Sequence, residues 1–286
     1  MDKLTAKANA KINLTLDITG KLPNGYHSIK SIMQSVSLHD VVSVERTNSG
    51  DIEVICSNEN IPSGEQNIAY KAAREFFEYA DIACPSVRIS IEKHIPSEAG
   101  LGGGSADAAA VIVCLNKLFG CGFSQERLCV IGAKVGADVP FCIIGGTALC
   151  EGIGEVITPL SPLSCGCVLI AKGKLGISTK TAYAELDKTE IPHKEWETSD
   201  FSGVPESWAR LCSNDFEAVS GNSEIAAIKS EMHSCGTILS QMSGSGSAVF
   251  GLFGERKNAE SCREKLNSSG FFAEICNFSK KGIEYL

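Results

Sequence analysis

The chain has 286 residues, 43% of them hydrophobic, with 26 Lys and Arg against 34 Asp and Glu and a formal net charge of −8. That length and apolar share support roughly two domains of about 150 residues each and exclude a largely disordered chain. The acidic balance argues against nucleic acid or an anionic membrane as partner, so a polyanionic ligand has to be met by local donors.

The opening Met1-Asp2-Lys3-Leu4-Thr5-Ala6-Lys7 has no apolar core of the signal-peptide kind. No run of about 18 apolar residues occurs, so a cytoplasmic protein without a membrane span is expected. The 13 cysteines are scattered, with no Cys-x-x-Cys and one close pair, Cys165 and Cys167. This reads as reduced, mostly buried thiols, not as a zinc or disulfide framework.

In chain order, residues 6–18 alternate, with Ile12, Leu14, Leu16 and Ile18 on one face of a half-buried strand. Pro23-Asn24-Gly25 marks a turn. Residues 29–44 are strand-like with a break near His39-Asp40, and 51–56 form a third strand. Ala69, Ala72, Ala73, Phe76 and Phe77 recur at helical spacing over 67–80. Val87, Ile89 and Ile91 alternate with polar residues in a strand that runs into the glycine-rich segment 95–107. Helices are expected over 106–119, apolar nearly all round and so deeply buried, and over 125–135, stopped by Gly136. Residues 143–149 read as a strand.

A composition shift near Pro159 to Pro162 suggests a boundary, giving domains 1–157 and 158–286. Beyond it come a strand over 167–171, a loop carrying Thr179 and Thr181, and a solvated loop over 195–206. Helices near 205–212 and 225–233 follow, then strands over 248–253 and 272–278 flanking a helix over 258–267. Without strict strand–helix alternation the fold class is α+β.

The segment Ile95-Pro96-Ser97-Glu98-Ala99-Gly100-Leu101-Gly102-Gly103-Gly104-Ser105-Ala106-Asp107 is the most informative. Its glycines let successive N–H groups converge, and a helix start behind them adds unpaired donors and partial positive charge. This is an anion site of the kind that holds nucleotide phosphates. It is not a Walker A loop, because Ser105-Ala106 stand where Lys-Ser/Thr is required. Nor is it the dinucleotide fingerprint, since Ser105 falls where the last glycine belongs, which disfavours an oxidoreductase.

Ser243-Gly244-Ser245-Gly246-Ser247 is either a plain turn or a second clamp on phosphate or substrate. Asp138, in Gly136-Ala137-Asp138-Val139-Pro140-Phe141, is either a structural cap or a working carboxylate. Lys11 is either a solvated strand-edge charge or a site cation, and Tyr26-His27 a surface pair or a base-binding one.

Together these segments resemble the GHMP kinase superfamily, whose Pro-x-x-x-Gly-Leu-Gly loop is here Pro96 to Gly102. Ala10 to Leu14, Gly25-Tyr26-His27, Gly136 to Phe141, Glu151 to Glu155, Asn214 to Glu217 and Met242 to Gly246 carry the likeness in the same order along nearly the whole chain. The resemblance implies a two-domain fold with the active site in the inter-domain cleft. It also implies transfer of the γ-phosphoryl group of ATP to a hydroxyl of a cytidine-diphosphate-linked polyol, in the branch that serves isoprenoid synthesis.

By resemblance, Asp138 is the base and Lys11 its cationic partner. Pro96, Gly100, Leu101, Gly102, Gly103, Gly104 and Ser105 grip the phosphates, with Lys93 and Asn67 near the adenine. Asn13, Tyr26 and His27 contact the acceptor, joined by Thr181, Tyr183, Ser243 and Gly244 from the second domain, with Tyr183 completing a sandwich around the cytosine. Many members carry Ser-Ser where this chain has Gly103-Gly104, so no protein metal ligand is expected and Mg2+ rides on the ATP phosphates. Gln66 replaces an acidic residue frequent before Asn67. The partner is a small molecule, and the protein a monomer or homodimer. Competing readings are a homoserine or mevalonate type of kinase, or a silent nucleotide-binding regulator; Tyr26-His27 speaks against the first and the Lys11 and Asp138 pair against the second.

Overall fold

The alternating start of the chain forms one long strand, β1 (Lys3–Lys21), which pairs antiparallel with β2 (His27–Arg46) along almost its full length. The structure, a computed structural model, describes residues 2–83, 86–192 and 195–286. The break expected near His39-Asp40 is a bulge inside β2: Asn9 pairs with His39 and Ala10 with Val36, leaving Ser37 and Leu38 as extra residues. A second irregularity leaves Leu14 over, between the Asn13–Met33 and Thr15–Ile32 pairs. Such bulges bend a strand and re-aim its side chains.

Next, β3 (Ile52–Cys56) pairs in parallel with β4 (Val87–Glu92), and α1 (Ile68–Tyr79) makes the crossover that a parallel pair needs. Asn67 caps α1, its Oδ1 accepting from the Ala69 N–H at 2.9 Å. The helix buries Ala69, Ala72, Ala73, Phe76 and Phe77, the residues its spacing predicts.

Helix α2 (Gly103–Leu118) begins earlier than expected, so Gly103, Gly104 and Ser105 are its first turn. Glycine's poor helix propensity hides such a start in the sequence. Helix α3 (Gln125–Val135) has the expected bounds, with Gly136 ending it in extended backbone. The short α4 (Val139–Ile144), with a proline in its first turn, takes the front of the expected 143–149 strand. The strand itself is β5 (Thr147–Glu151), followed by β6 (Val156–Pro159) in a hairpin.

The second part holds β7 (Cys167–Lys172), α5 (Thr179–Leu186), α6 (Pro205–Trp208), α7 (Asp215–Val219), α8 (Ser223–Ser234), β8 (Leu239–Met242), β9 (Val249–Phe253), α9 (Arg256–Ser268), β10 (Phe272–Cys276) and β11 (Ile283–Tyr285). Thr179 and Thr181 therefore lie on a helix, not in the expected loop. Most of 195–206 is exposed, as expected of a solvated loop, but Trp196, Phe201 and Pro205 are buried. Trp196 Nε1 donates to Asp17 Oδ2 at 2.7 Å, and Lys30 lies 4.0 Å over its ring.

Two sheets result among the described residues. One runs β11–β1–β2–β4–β3 with β5 on β2 and β6 on β5; the other runs β10–β7–β9–β8. The expected boundary at 157/158 falls inside β6, and the chain's last strand returns to the first sheet beside β1. Helices α1 and α2 cover the first sheet and α3 packs on α1, α2 and α4, while α8 and α9 bury Ile225, Ile228, Met232, Ala259, Cys262 and Leu266 against the second. Mixed helix and sheet in this segregated order is the α+β class.

The two parts meet along β1. The Leu16 N–H donates to Ser213 O at 2.8 Å, the Ile18 N–H to Asp215 Oδ2 at 2.7 Å, and Gln241 Nε2 to Leu14 O at 3.1 Å. This explains why β1 is buried on both faces through its middle, where simple alternation predicts one solvated face.

The described cysteines are free thiols, and Cys114, Cys142, Cys150 and Cys276 are among the buried ones. Burial pushes the Cys114 and Cys276 thiols up to about 12. Thiol labelling of the native protein at about pH 8 is therefore expected to leave these four unmodified and to reach them only after unfolding. Peptide mass spectrometry before and after denaturation checks this.

Candidate active site

The segment between β4 and α2 makes a tight turn, with Gly100 at φ 73° and Gly102 at φ 69°. Both lie in the left-handed region that side chains avoid. Space is equally restrictive. A Cβ on Gly100 would sit 1.9 Å from Ser243 O, and one on Gly102 would sit 2.9 Å from Lys11 Cγ. The glycines thus let one backbone press against another and against a lysine stem.

Gly102 caps α2 without a side-chain bond, so no side chain of the cap competes for the first N–H groups of the helix. Those of Gly103, Gly104 and Ser105 line a cleft of about 1050 Å³ together with Pro96, Gly100 and Leu101. Partial positive charge at this end of a buried helix favours an anion.

The second small-residue turn closes onto the first. Ser243 Oγ donates to Gly100 O at 3.0 Å and accepts from the Asn13 N–H at 3.3 Å, and the Ala248 N–H donates to Ala99 O at 3.1 Å. Asn214 holds this turn from behind, its Nδ2 donating to Met242 O at 2.7 Å and Gly244 O at 2.9 Å. Gly244 lines the cleft, whereas Ser243 is fully buried beneath it.

Lys11 is 4% exposed and lines the cleft, so it is a buried cation and not a solvated strand-edge charge. Its Nζ donates to Asn13 Oδ1 at 2.8 Å and lies 3.4 Å from Asp138 Oδ2. Asn13 is fixed in turn, its Nδ2 donating to Ser31 Oγ at 2.9 Å. Asp138 precedes α4 but makes no cap bond, and its side chain keeps 30% exposure toward the cleft that it lines. A buried ammonium beside a reachable carboxylate is suited to moving a proton and balancing charge.

At the other end, His27 Nε2 and Asp187 Oδ1 are 2.6 Å apart, and Lys21 also pairs with Asp187. The Tyr183 ring stacks on His27 with centroids 4.5 Å apart at 15°, and meets Phe216 edge-on at 4.8 Å. Burial pushes the Tyr183 phenol up to about 12, with Asp138 adding to it. Tyr26 is 59% exposed at the rim. In this conformation Tyr183 packs on His27, leaving no slot for a base between them.

Two expected nucleotide contacts line the cleft with their polar ends engaged. Asn67 Oδ1 caps α1 and its Nδ2 donates to Pro62 O at 2.7 Å. Lys93 Nζ donates to Asp107 Oδ2 at 2.6 Å and also pairs with Asp40. Burial pushes the Lys93 ammonium down, but Asp107 and Asp40 outweigh it and hold it above its ordinary value. Thr181 does not line the cleft: Thr179, Lys180, Tyr183, Ala184 and Asp187 do, and Thr181 lies on the other side of α5. Sequence reasoning missed Asp40, Asp107 and Asp187. Their partners are remote in the chain, so no local pattern marks them.

The chain is similar to known proteins along nearly its whole length. Residues 67–146 match the GHMP kinases N terminal domain and residues 201–271 the GHMP kinases C terminal domain. The chain belongs to the GHMP kinase family and is an ATP-dependent small-molecule kinase. It is 42% identical over 269 residues, 92% of this chain and 95% of the other, to a 4-diphosphocytidyl-2-C-methyl-D-erythritol kinase from Clostridium botulinum (strain Eklund 17B / Type B). It is 43% identical over 268 residues, 92% and 95% of the two chains, to one of the same name from Clostridium tetani (strain Massachusetts / E88). A crystal structure of 4-(cytidine 5'-diphospho)-2C-methyl-D-erythritol kinase aligns with a TM-score of 0.77 at 30% identity, covering 96% of this chain and 99% of that one. A homoserine kinase from Cytophaga hutchinsonii shares the fold, with a TM-score of 0.74 at 15% identity over 100% of this chain and 98% of that one.

Gly100→Ala is expected to abolish nucleotide binding and to lower the melting temperature, because its methyl would drive the two turns apart. Titration with a non-hydrolysable ATP analogue and a thermal melt test this together.

Proposed function

We infer that this chain transfers the γ-phosphoryl group of ATP to the 2-hydroxyl of 4-diphosphocytidyl-2-C-methyl-D-erythritol, in isoprenoid precursor synthesis by the non-mevalonate route. The observation that carries the chemistry is the Lys11–Asp138 pair, 3.4 Å apart in the cleft between the glycine turn and the Tyr26-His27 end. Identity of 42–43% to kinases named for that acceptor supports the choice of substrate.

The loose transition state of phosphoryl transfer needs positioning and charge stabilisation more than covalent help. The N–H groups of Gly103, Gly104 and Ser105, at the open start of α2, would meet the phosphates. Asp138 takes the proton of the attacking hydroxyl. Lys11, held in line by Asn13, faces the negative charge that develops on the transferred group. The glycine cradle and open helix end at Gly103, Gly104 and Ser105 would hold the triphosphate, and Mg2+ carried on its phosphates would neutralise part of its charge.

The acceptor's base falls to the other end of the cleft. Tyr26 is exposed and free to stack on a ring, and His27 is oriented by Asp187 for a polar contact. Tyr183 must part from His27 if it is to cover the second face.

An acceptor panel tests the substrate: phosphorylation of the cytidine-diphosphate-linked polyol is expected, and preference for homoserine or mevalonate would refute it. Asp138→Asn is expected to lower kcat by about 10²–10⁴-fold with the ATP KM little changed; turnover within a few-fold of the parent removes Asp138 as base. Tyr26→Ala is expected to raise the acceptor KM, by about 1–3 kcal/mol of lost stacking, and to spare the ATP KM.

A further inference from the structure

We propose that Asp40 and Asp107 are positioning residues for nucleotide binding, which hold Lys93 as a buried strut that sets the phosphate-gripping turn. The proposal rests on the reading of the cleft as an ATP site. Asp40 lies in β2 just past the bulge, and its carboxylate takes hold of three consecutive residues. Oδ1 accepts from the His94 N–H at 2.6 Å and the Ile95 N–H at 2.8 Å, while Oδ2 pairs with Lys93 Nζ. Pro96 and the glycine turn follow at once.

Lys93 Nζ also donates to Asp107 Oδ2 at 2.6 Å, on α2, the helix that the turn leads into. A Cβ on Gly103 would lie 3.4 Å from that same Nζ, so the ammonium sits beside the first residue of α2. One cation thereby ties the strand before the turn to the helix after it. The side chains of Asp40, Lys93 and Asp107 are only 0%, 6% and 5% exposed.

Stability alone does not account for this cluster. Burying three ionisable groups costs desolvation, and an apolar trio of the same volume is often as stable or more so. Asp107 Oδ1 has no hydrogen-bond partner, which adds to that cost. Burial holds the Asp107 carboxyl well above the usual carboxylate range, against the pull of Lys93. An apolar trio would lose the grip of Asp40 on two turn amides and the fixed spacing between β4 and α2. Those two features bear on where the phosphate donors stand.

The test compares Asp40→Ala, Asp40→Asn and Asp107→Asn with the parent. It reads binding of a non-hydrolysable ATP analogue without acceptor, the KM for each substrate, and the melting temperature. Asp40→Ala is expected to weaken the analogue and raise the ATP KM by about tenfold or more, with the acceptor KM unchanged. Asp40→Asn, whose amide oxygen still accepts from His94 and Ile95, should recover most of that loss. Asp107→Asn should shift ATP binding alone, by a smaller factor. If folded Asp40→Ala binds the analogue within about twofold of the parent, or if both KM values rise together, the proposal fails. If Asp40→Ala does not fold, the two asparagine variants decide: unchanged nucleotide affinity in both overturns it. Failure of the ATP-site reading itself is seen separately, as a parent protein that does not bind the analogue.

Discussion

The contact between the backbone of Gly100 and that of Ser243 is the constraint on which the site depends. A single added carbon at Gly100 would sit 1.9 Å from Ser243 O, so the two turns can touch only because that atom is missing. Their contact brings Leu101 O to the Lys11 N–H at 3.0 Å and wraps Gly102 and Gly244 around the Lys11 side chain. A buried lysine on a central strand is otherwise costly. Here its ammonium meets Asn13 and Asp138 and lies beside Gly244, and its stem packs on Gly102.

The molecule thus handles polyanions with fixed local charge and not with its overall field, which is acidic. Two buried ammonium groups flank the glycine turn, and each is matched by carboxylates. Lys11 faces a carboxylate that is still reachable from the cleft, which suits the proposed proton transfer. Lys93 faces two that are almost wholly buried, which suits the proposed supporting role.

Joining the parts across β1 gives the cleft its shape. Asn214, Asp215 and Glu217 form one short motif whose side chains hold two backbone segments, the Met242–Gly244 turn and β1 at Ile18. Asn214 bonds the turn at Met242 and Gly244, Asp215 bonds Ile18, and Glu217 accepts from the Met242 N–H at 2.7 Å. At the far end, the stack of Tyr183 on His27 and the pairing of Asp187 with Lys21 and His27 bridge the cleft from α5 to the first hairpin. The Tyr26-His27 end of the cleft is therefore built from both parts, whereas the glycine turn belongs to the first part and is braced by the second.

The sequence by itself determined the elements whose signal is local. The 3.6-residue recurrence of Ala69 to Phe77, the alternation of Val87 to Ile91 and the glycines before α2 are each written in a few neighbouring positions. Lys11, Asp138, Tyr26 and His27 were legible only as candidates, through an ordered set of motifs. Tertiary structure decided the rest, because each outcome depends on a partner far along the chain. The start of α2 at Gly103, the burial of Trp196 against Asp17, the turning of Thr181 away from the cleft and the gathering of Asp40, Lys93 and Asp107 are of this kind. Short-range pattern encodes periodicity and turns; which side chains share one buried volume is fixed only when strands and helices pack.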